Sequence, residues 1–300
     1  MYDIVIIGSG PAGLTAAIYA LRANKTVIVI EKGGFGGQMT FSPKIENYPG
    51  KITISGNELA DKFVEQAISL GCVFESGEVV KIKLNSDTKT VVTDDNSFDC
   101  KSVIIAAGAK HRQLGVANEN HFAGNGISYC AVCDGAFFEG KTVAIVGGGN
   151  SALQEAVLLS EICKEVIIIQ NLPFLTGEKK LCDSLAQKSN VSYLYEKTVT
   201  GFLGTDELCG VALKDESTGE ILQLSIDGLF VAIGLVPENQ AFSNVATLDK
   251  NGYIVSDESC ATDTAGIFVA GDCRTKNVRQ ITTAVSDGAV AAISAVKYIG

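Results

Sequence analysis

The stretch Ile4-Val5-Ile6-Ile7-Gly8-Ser9-Gly10-Pro11-Ala12-Gly13 decides how the chain folds. Four consecutive β-branched residues bounded by glycine read as a strand buried on both faces. Leu14 to Ala23 then carries a helix-like pattern, and Thr26 to Ile30 is a second apolar strand. Strand, helix and strand in that order predict a parallel α/β unit. In the glycine-rich turn, the first Gly permits a tight bend and the second lets backbone approach a pyrophosphate. The third allows helix and strand to pack closely. The helix N-terminus offers N–H groups and a positive dipole to phosphates. Glu31, eighteen residues after Gly13, closes the second strand and can accept hydrogen bonds from a ribose. A glycine turn alone is also a purely structural bend. Strand, helix and distal acid together point to a dinucleotide.

The pattern recurs about 140 residues later, at Thr142 to Val146, Asn150 to Ser160 and Glu165 to Ile169. Its turn is Gly147-Gly148-Gly149-Asn150-Ser151-Ala152, where Ala is still small enough for close packing. NAD usually meets an acid after the second strand and NADP an arginine. Here the chain reads Ile169-Gln170-Asn171-Leu172, with neither. Two readings stay open, a pyridine-nucleotide site or a fold retained with its ligand lost. Hairpins are predicted for Val79 to Leu84 with Thr90 to Thr93, and for Gly210 to Leu213 with Ile221 to Leu224. The chain closes with a strand at Ile267 to Val269, then Gly271-Asp272 and an apolar helix from about Ile281 to Tyr298. The expected fold is α/β, with two Rossmann-like nucleotide-binding domains, the second inserted into the first.

Composition narrows the function. The 300 residues exceed one ordinary domain, and 46% apolar with 19% charged residues exclude global disorder. A net charge of −10 is a poor match for nucleic acid or an anionic membrane, so neither is expected as a partner. No apolar run approaches the ~18 residues of a spanning helix. The first residues lack a charged leader segment, so a cytoplasmic location is expected. Nine cysteines, an odd number and mostly scattered, fit reduced and buried thiols better than a disulfide framework. Only Cys130 and Cys133 form a tight pair, in Tyr129-Cys130-Ala131-Val132-Cys133-Asp134-Gly135. Such a pair closes a small disulfide in which one sulfur is attacked while the other leaves. Asp134 can give or take a proton at the departing sulfur. The alternative is half a zinc site, but no second pair or His–Cys cluster completes it, and no metal is expected. The two histidines, His111 and His121, read as surface or packing residues.

On these residues the chain is similar to the low-molecular-weight thioredoxin reductases over essentially its whole length. The matching segments are Gly8 to Gly13, Gly36-Gly37-Gln38, Glu46-Asn47-Tyr48-Pro49-Gly50, Ala107-Gly108, Gly271-Asp272 and Arg279-Gln280-Ile281. The hexapeptide Cys130 to Gly135 is the most specific mark. The resemblance implies a homodimeric flavoprotein with FAD held by residues 1–112 and 243–300, and an inserted domain at 113–242 carrying the cysteine pair. It implies cofactor contacts from Gly8, Gly10, Pro11, Ala12, Gly13, Glu31, Gly37, Gln38, Asn47, Ala107, Gly108, Gly271, Asp272, Arg279, Gln280 and Ile281. By the same similarity Cys133 faces the flavin, Cys130 exchanges with thioredoxin, and Asp134 is the acid.

One departure is equally specific. Members that use NADPH carry a His-Arg-Arg-x-x-x-Arg run after the second strand of the inserted domain. This chain has Gln170-Asn171-Leu172-Pro173-Phe174-Leu175-Thr176 there, and no arginine between residues 113 and 273. A subgroup lacking the run takes electrons from ferredoxin, and this chain is most like that subgroup. NADPH-dependent thioredoxin reductase is the first alternative. A flavin-dependent dithiol oxidase is the next. Residues 115–240 carry a net charge of −9 and the remainder −1, and ferredoxins are generally acidic. A ferredoxin is therefore expected to dock on the flavin domain, with Lys110, Arg112, Arg274, Lys276 and Arg279 as candidate contacts.

Overall fold

In a computed structural model of the chain, which describes residues 1–42 and 45–300, β1 (Tyr2–Ile7) buries Ile4, Val5 and Ile6 completely. A strand with no polar alternation needs cover on both faces, and it has it. Helix α1 (Pro11–Arg22) starts with Pro11, whose missing N–H costs nothing in a first helical turn. β2 (Val27–Glu31) runs parallel to β1, with Ile4 opposite Val27 and Ile7 opposite Ile30. Ser55 caps α2 (Gly56–Ser69) by accepting the Glu58 N–H at 3.1 Å, and β3 (Val73–Ser76) extends the sheet beyond β2. The first predicted hairpin is β4 (Val79–Leu84) with β5 (Lys89–Thr93). Long strand β6 (Ser97–Ile105) joins it to β1.

Between the strand β7 (Lys110–His111) and the strand β16 (Leu235–Val236) lies a second compact unit. It holds α3 (Glu119–Phe122), β8 (Ile127–Ser128), α4 (Ala131–Asp134), β9 (Thr142–Val146) and α5 (Asn150–Ser160). β10 (Glu165–Gln170), α6 (Lys179–Ala186), β11 (Val191–Tyr195), β12 (Lys197–Gly204), β13 (Leu208–Asp215), β14 (Ile221–Ser225) and β15 (Gly228–Val231) follow. Its parallel sheet has the order β11-β10-β9-β15-β8, and β12-β13-β14 form a separate antiparallel sheet. Alternation divides the core. Val143 and Ile145 of β9 pack with Leu153 and Leu159 of α5, whereas Ala144 packs with Val211 and Leu213 of β13. This is the second Rossmann-type unit that the repeated pattern predicts, with an antiparallel layer on one face.

The chain then completes the first unit with β17 (Ile267–Val269) and α7 (Ile281–Ile299). β6 has a divided edge: Ser97 to Cys100 pair antiparallel with β5, and Val103 to Ile105 pair parallel with β17. Helix α7 lies along α1, where Ala12, Ala16, Ala17 and Ala20 meet Ala284, Ala291, Ala292 and Ala295. The contact is close enough that a Cβ on Gly288 would stand 2.2 Å from the Ala12 carbonyl oxygen. The two units divide as Met1–Lys110 with Val236–Gly300, and His111–Leu235. The second boundary precedes the expected residue 243 because Phe242, 3% exposed, already packs with Val5, Ile28 and Val245 in the first unit's core.

Replacing Gly288 with Ala forces α1 and α7 apart. The expected cost is about 1–3 kcal/mol. A loss of several degrees in the thermal midpoint follows for a unit of this size. Circular-dichroism melts of the variant beside the parent check it, and an unchanged midpoint would show that the helices yield freely.

Candidate functional site

In the second unit, Cys130 and Cys133 are joined in a disulfide with their Cα atoms 5.3 Å apart. Cys130 is the N-cap of α4, and its Sγ accepts the Cys133 N–H at 3.2 Å. A sulfur placed to receive a backbone N–H is better able to carry negative charge once the bond opens. Asp134 ends the same turn. Its Oδ2 accepts from the Ser128 hydroxyl at 2.6 Å, and that hydroxyl oxygen in turn accepts the Cys130 N–H at 3.1 Å. Oδ1 is buried with no hydrogen-bond partner among the described residues. Burial pushes the Asp134 carboxyl above its ordinary value, against the lowering effect of Ser128. Burial thus makes the charged form of Asp134 costlier than it is for an exposed carboxyl.

Two residues absent from the sequence reading support this turn. Glu119, 4% exposed, accepts the Leu114 and Gly115 N–H groups and the Tyr129 hydroxyl, all at 2.9 Å, and so fixes the residue before Cys130. Glu155 of α5 accepts the Ala131 N–H at 3.3 Å. Neither sits in a motif, which is why spacing did not reveal them. Of the remaining cysteines, Cys100, Cys163, Cys260 and Cys273 are buried, Cys72 and Cys182 are half-buried and Cys209 is exposed on β13. The described residues contain no cluster of His, Cys, Asp and Glu that could hold a metal.

The second glycine turn has its own occupant. The Gln170 side chain stands where a Cβ on Gly148 would come within 2.3 Å of its Nε2. That amide donates to the Phe174 carbonyl at 3.2 Å, and its Oε1 accepts the Asn171 N–H at 3.1 Å. The Thr176 and Gly177 N–H groups both donate to the Gly148 carbonyl, so residues 174–177 fold back against the turn. Gln170 is 6% exposed and its polar atoms are used internally.

In the first unit, a cavity of about 620 Å³ is lined by Gly8, Gly10, Pro11, Ala12, Glu31, Gly37, Gln38, Ala107, Gly108, Gly271, Asp272, Gln280 and Ile281. Three expected contacts are not in its lining. Gly13 serves packing, since a Cβ there would stand 1.9 Å from the Gly8 carbonyl oxygen. Asn47 donates to the Gln280 side chain at 3.2 Å, and Arg279 lies over the Tyr253 ring at 4.3 Å. Lys32, Glu78, Lys110 and Glu238 line the cavity without having been expected, linked as Glu78–Lys32–Glu238–Lys110 by contacts of 3.2, 2.7 and 3.0 Å. Glu238 comes from the returning segment, beyond the reach of any local motif. Glu31 accepts the Ser9 N–H and hydroxyl at 2.8 and 2.7 Å and the Gly33 N–H at 2.9 Å.

Asp272 is held by a buried ion cluster. Asp287 receives two Arg274 bonds at 2.9 Å, Lys276 at 2.8 Å and the Gly271 N–H at 3.0 Å. This corrects the docking expectation for two cations: Arg274 and Lys276 are turned inward to Asp287, with side chains 4% and 7% exposed. Lys110 is paired with Glu238, and Arg112 is exposed in the second unit.

Comparison with known proteins places the chain. The family described as Pyridine nucleotide-disulphide oxidoreductase matches residues 2–288, and the chain belongs to it. A Listeria monocytogenes protein named thioredoxin reductase is 40% identical over 300 residues, 100% of this chain and 94% of the relative. A Clostridium pasteurianum protein described as a 34.2 kDa protein in the rubredoxin operon is 42% identical, over 99% of this chain and 97% of the relative. A crystal structure of thioredoxin reductase from Streptococcus pyogenes superposes with a TM-score of 0.95 at 42% identity, covering 99% and 98% of the two chains. The chain is a flavoprotein whose cofactor is FAD. The first unit's cavity fits that group. Gly10 and Gly108 leave open space where a Cβ would project, and Asp272 lines the cavity with Oδ1 buried and unpartnered among the described residues. Burial raises the Asp272 carboxyl to about 6.

The ion cluster behind Asp272 has a measurable cost. Burial raises the Asp287 carboxyl, but Arg274 and Lys276 outweigh it and hold the group below its ordinary value. Its stabilisation is full above the unfolded pKa near 4 and is lost as pH falls through the lower folded value. Asp287→Asn leaves two buried cations uncompensated, at a cost of about 3–5 kcal/mol near pH 7. Melting curves of parent and variant from pH 7 down to pH 3 should converge at the acid end; a gap independent of pH would remove the charge from the explanation.

Proposed function

We propose that the chain is a thioredoxin reductase, acting as a homodimer, that passes electrons from ferredoxin through FAD and the Cys130–Cys133 disulfide to thioredoxin. The observation that carries it is the disulfide with Cys130 Sγ on the Cys133 N–H and Asp134 beside it on Ser128. Bound FAD supplies the two electrons that open the disulfide. Gly8, Gly10 and the opening turn of α1 would hold the pyrophosphate. Glu31 would take the adenosine ribose, and Asp272 with Gln38 and Gln280 the ribityl chain.

The chain's own residues manage the protons and sulfurs. As the S–S bond opens, Asp134 gives its proton to one sulfur, and the other remains a thiolate. Cys130, favoured as the thiolate by the Cys133 N–H, attacks the thioredoxin disulfide and forms a mixed disulfide. Cys133 then attacks Cys130, which releases dithiol thioredoxin and restores the Cys130–Cys133 bond. The sum is one thioredoxin disulfide reduced for two electrons and two protons taken up. Cys130→Ser and Cys133→Ser should each abolish catalytic thioredoxin reduction while the protein stays yellow; turnover surviving in either would overturn the pair's role.

The donor rests on the second glycine turn. Charge-assisted hydrogen bonds contribute about 1.5–3 kcal/mol each. Without two arginine contacts, NADPH should bind roughly 10²- to 10⁴-fold more weakly. Gln170 offers no replacement, since its amide is engaged with Phe174 and Asn171. An NADPH-dependent reductase is the second reading, favoured by the intact Gly147 turn and by relatives of about 40% identity named thioredoxin reductase. Anaerobic stopped-flow of the oxidised enzyme against NADPH, NADH and photoreduced ferredoxin separates them. Ferredoxin should drive thioredoxin turnover with nicotinamides slow or inert, whereas rapid bleaching by micromolar NADPH would establish the second reading.

A further inference from the structure

Ser128 touches both ends of the redox turn with one side chain, and the reaction so far gives it no part. It leaves β8 from a position paired with Phe230 of β15 and is buried, 5% exposed. Its oxygen accepts the Cys130 N–H at the start of α4, and its hydroxyl donates to Asp134 Oδ2 at the end. A hydroxyl has a single proton to give. The competing acceptor, the Cys130 carbonyl oxygen, lies at 3.4 Å against 2.6 Å for the carboxylate, so Asp134 receives it.

Little else here can answer a charge on Asp134. Helix α5, packed on α4, carries Glu155, seated on the Ala131 N–H at 3.3 Å, and no cation. The following turn Gly135–Phe138, β8 and β15 have no ionisable side chain. Tyr129, next after Ser128, gives its proton to Glu119 instead. Asp134 Oδ1 is buried with no partner, which leaves the Ser128 hydroxyl as the one donor to this carboxyl among the described residues. Burial and Ser128 oppose one another: burial raises the Asp134 carboxyl and the hydroxyl lowers it.

We propose that Ser128 is a positioning residue for the thiol–disulfide reaction: its hydroxyl supports the Asp134 carboxylate that each opening of the disulfide leaves behind, so that the same group can take the proton back when the disulfide closes. In the opening step, two electrons and the Asp134 proton turn the S–S bond into one thiolate, one thiol and the Asp134 carboxylate. The bond from Ser128 is then charge-assisted. In the closing step the Cys130 thiolate attacks the thioredoxin disulfide, and the Cys133 thiol returns its proton to Asp134. The thiolate so formed displaces thioredoxin from Cys130. The two thioredoxin sulfurs take their protons from solvent, and Asp134 ends as it began. Opening needs the protonated form of Asp134 and fails as pH rises. Closing needs the carboxylate and fails as pH falls. By favouring the carboxylate, Ser128 moves both limits to lower pH.

This role depends on the proposed part of Asp134 as the acid, and the test separates the two. Both steps are followed on the FAD-loaded full chain by acid quench and thiol alkylation, from pH 4.5 to 9.5. For opening, oxidised enzyme is mixed with dithiothreitol and the rate is expressed per dithiothreitol thiolate. For closing, enzyme reduced with one equivalent of dithionite is mixed anaerobically with thioredoxin disulfide. Neither step involves ferredoxin or NADPH, and Glu155 is present throughout. Ser128→Ala should carry the opening limb and the closing limb both to higher pH. Relative to each plateau, the rate on the closing limb falls about tenfold and that on the opening limb rises by a similar factor. Ser128→Thr, which keeps the hydroxyl, should restore the parent's limbs. Asp134→Asn should have neither limb. Limbs of Ser128→Ala that stay at the parent's positions, whatever its plateaus, overturn the inference and leave Asp134 as the acid; a uniform loss in both steps is one such outcome and marks a structural role. A threonine variant with the alanine variant's limbs also overturns it, since the hydroxyl is then not the agent. Limbs that persist in Asp134→Asn overturn the role of Asp134 itself.

Discussion

The first unit depends on backbone meeting backbone around α1. At Gly13 the helix touches the carbonyl of Gly8, and at Gly288 helix α7 touches the carbonyl of Ala12, each with no room for a Cβ. These contacts set the distance between the end of β1, the opening of α1 and the flank of α7. Gly8, Gly10, Ala12, Gly271 and Ala284 can then line a single cavity. Larger side chains in the seam would separate the same elements, and the alanine-rich faces of α1 and α7 show that the whole interface is built for close approach. Asp287, one residue before Gly288, combines that seam with its hold on Gly271, so packing and electrostatics are anchored at adjacent positions.

In the second unit the governing problem is charge in a dry setting. Cys130, Cys133, Asp134 and Glu155 sit on or against one turn, and their polar atoms are served by backbone N–H groups and a single hydroxyl. Such donors stabilise one negative charge well and a second poorly. The net −9 of residues 115–240 works in the same direction at longer range.

Much of this was legible from local pattern. β1, α1 and β2, their counterparts β9, α5 and β10, and the hairpin β4–β5 all follow from apolar runs and turn residues within some 30 positions. The cysteine pair was legible because its chemistry needs a fixed spacing. What was not legible joins distant positions. The inward turn of Arg274 and Lys276 depends on Asp287, nearly two helical turns into α7, and a cation in sequence does not announce its partner. Glu238 reaches Lys32 across 206 residues. Glu155 looks like any acid on an amphipathic helix until α4 is laid against it. The third glycine of the first turn was legible for packing, since close approach of helix and strand leaves no room there for a Cβ.

The divided edge of β6 has a consequence for the order in which the protein can be made. Val103 to Ile105 find their partner β17 only after some 160 further residues, and the alanine face of α1 finds α7 later still. While the ribosome is adding the second unit, the first is an unfinished sheet with one half-open edge and a bare helix face. Everything within residues 111–235 can meanwhile close on itself, since its parallel sheet draws on no strand from outside. The insertion therefore matures first and the host last. A nascent chain halted before Ile281 would expose the apolar seam that chaperones recognise.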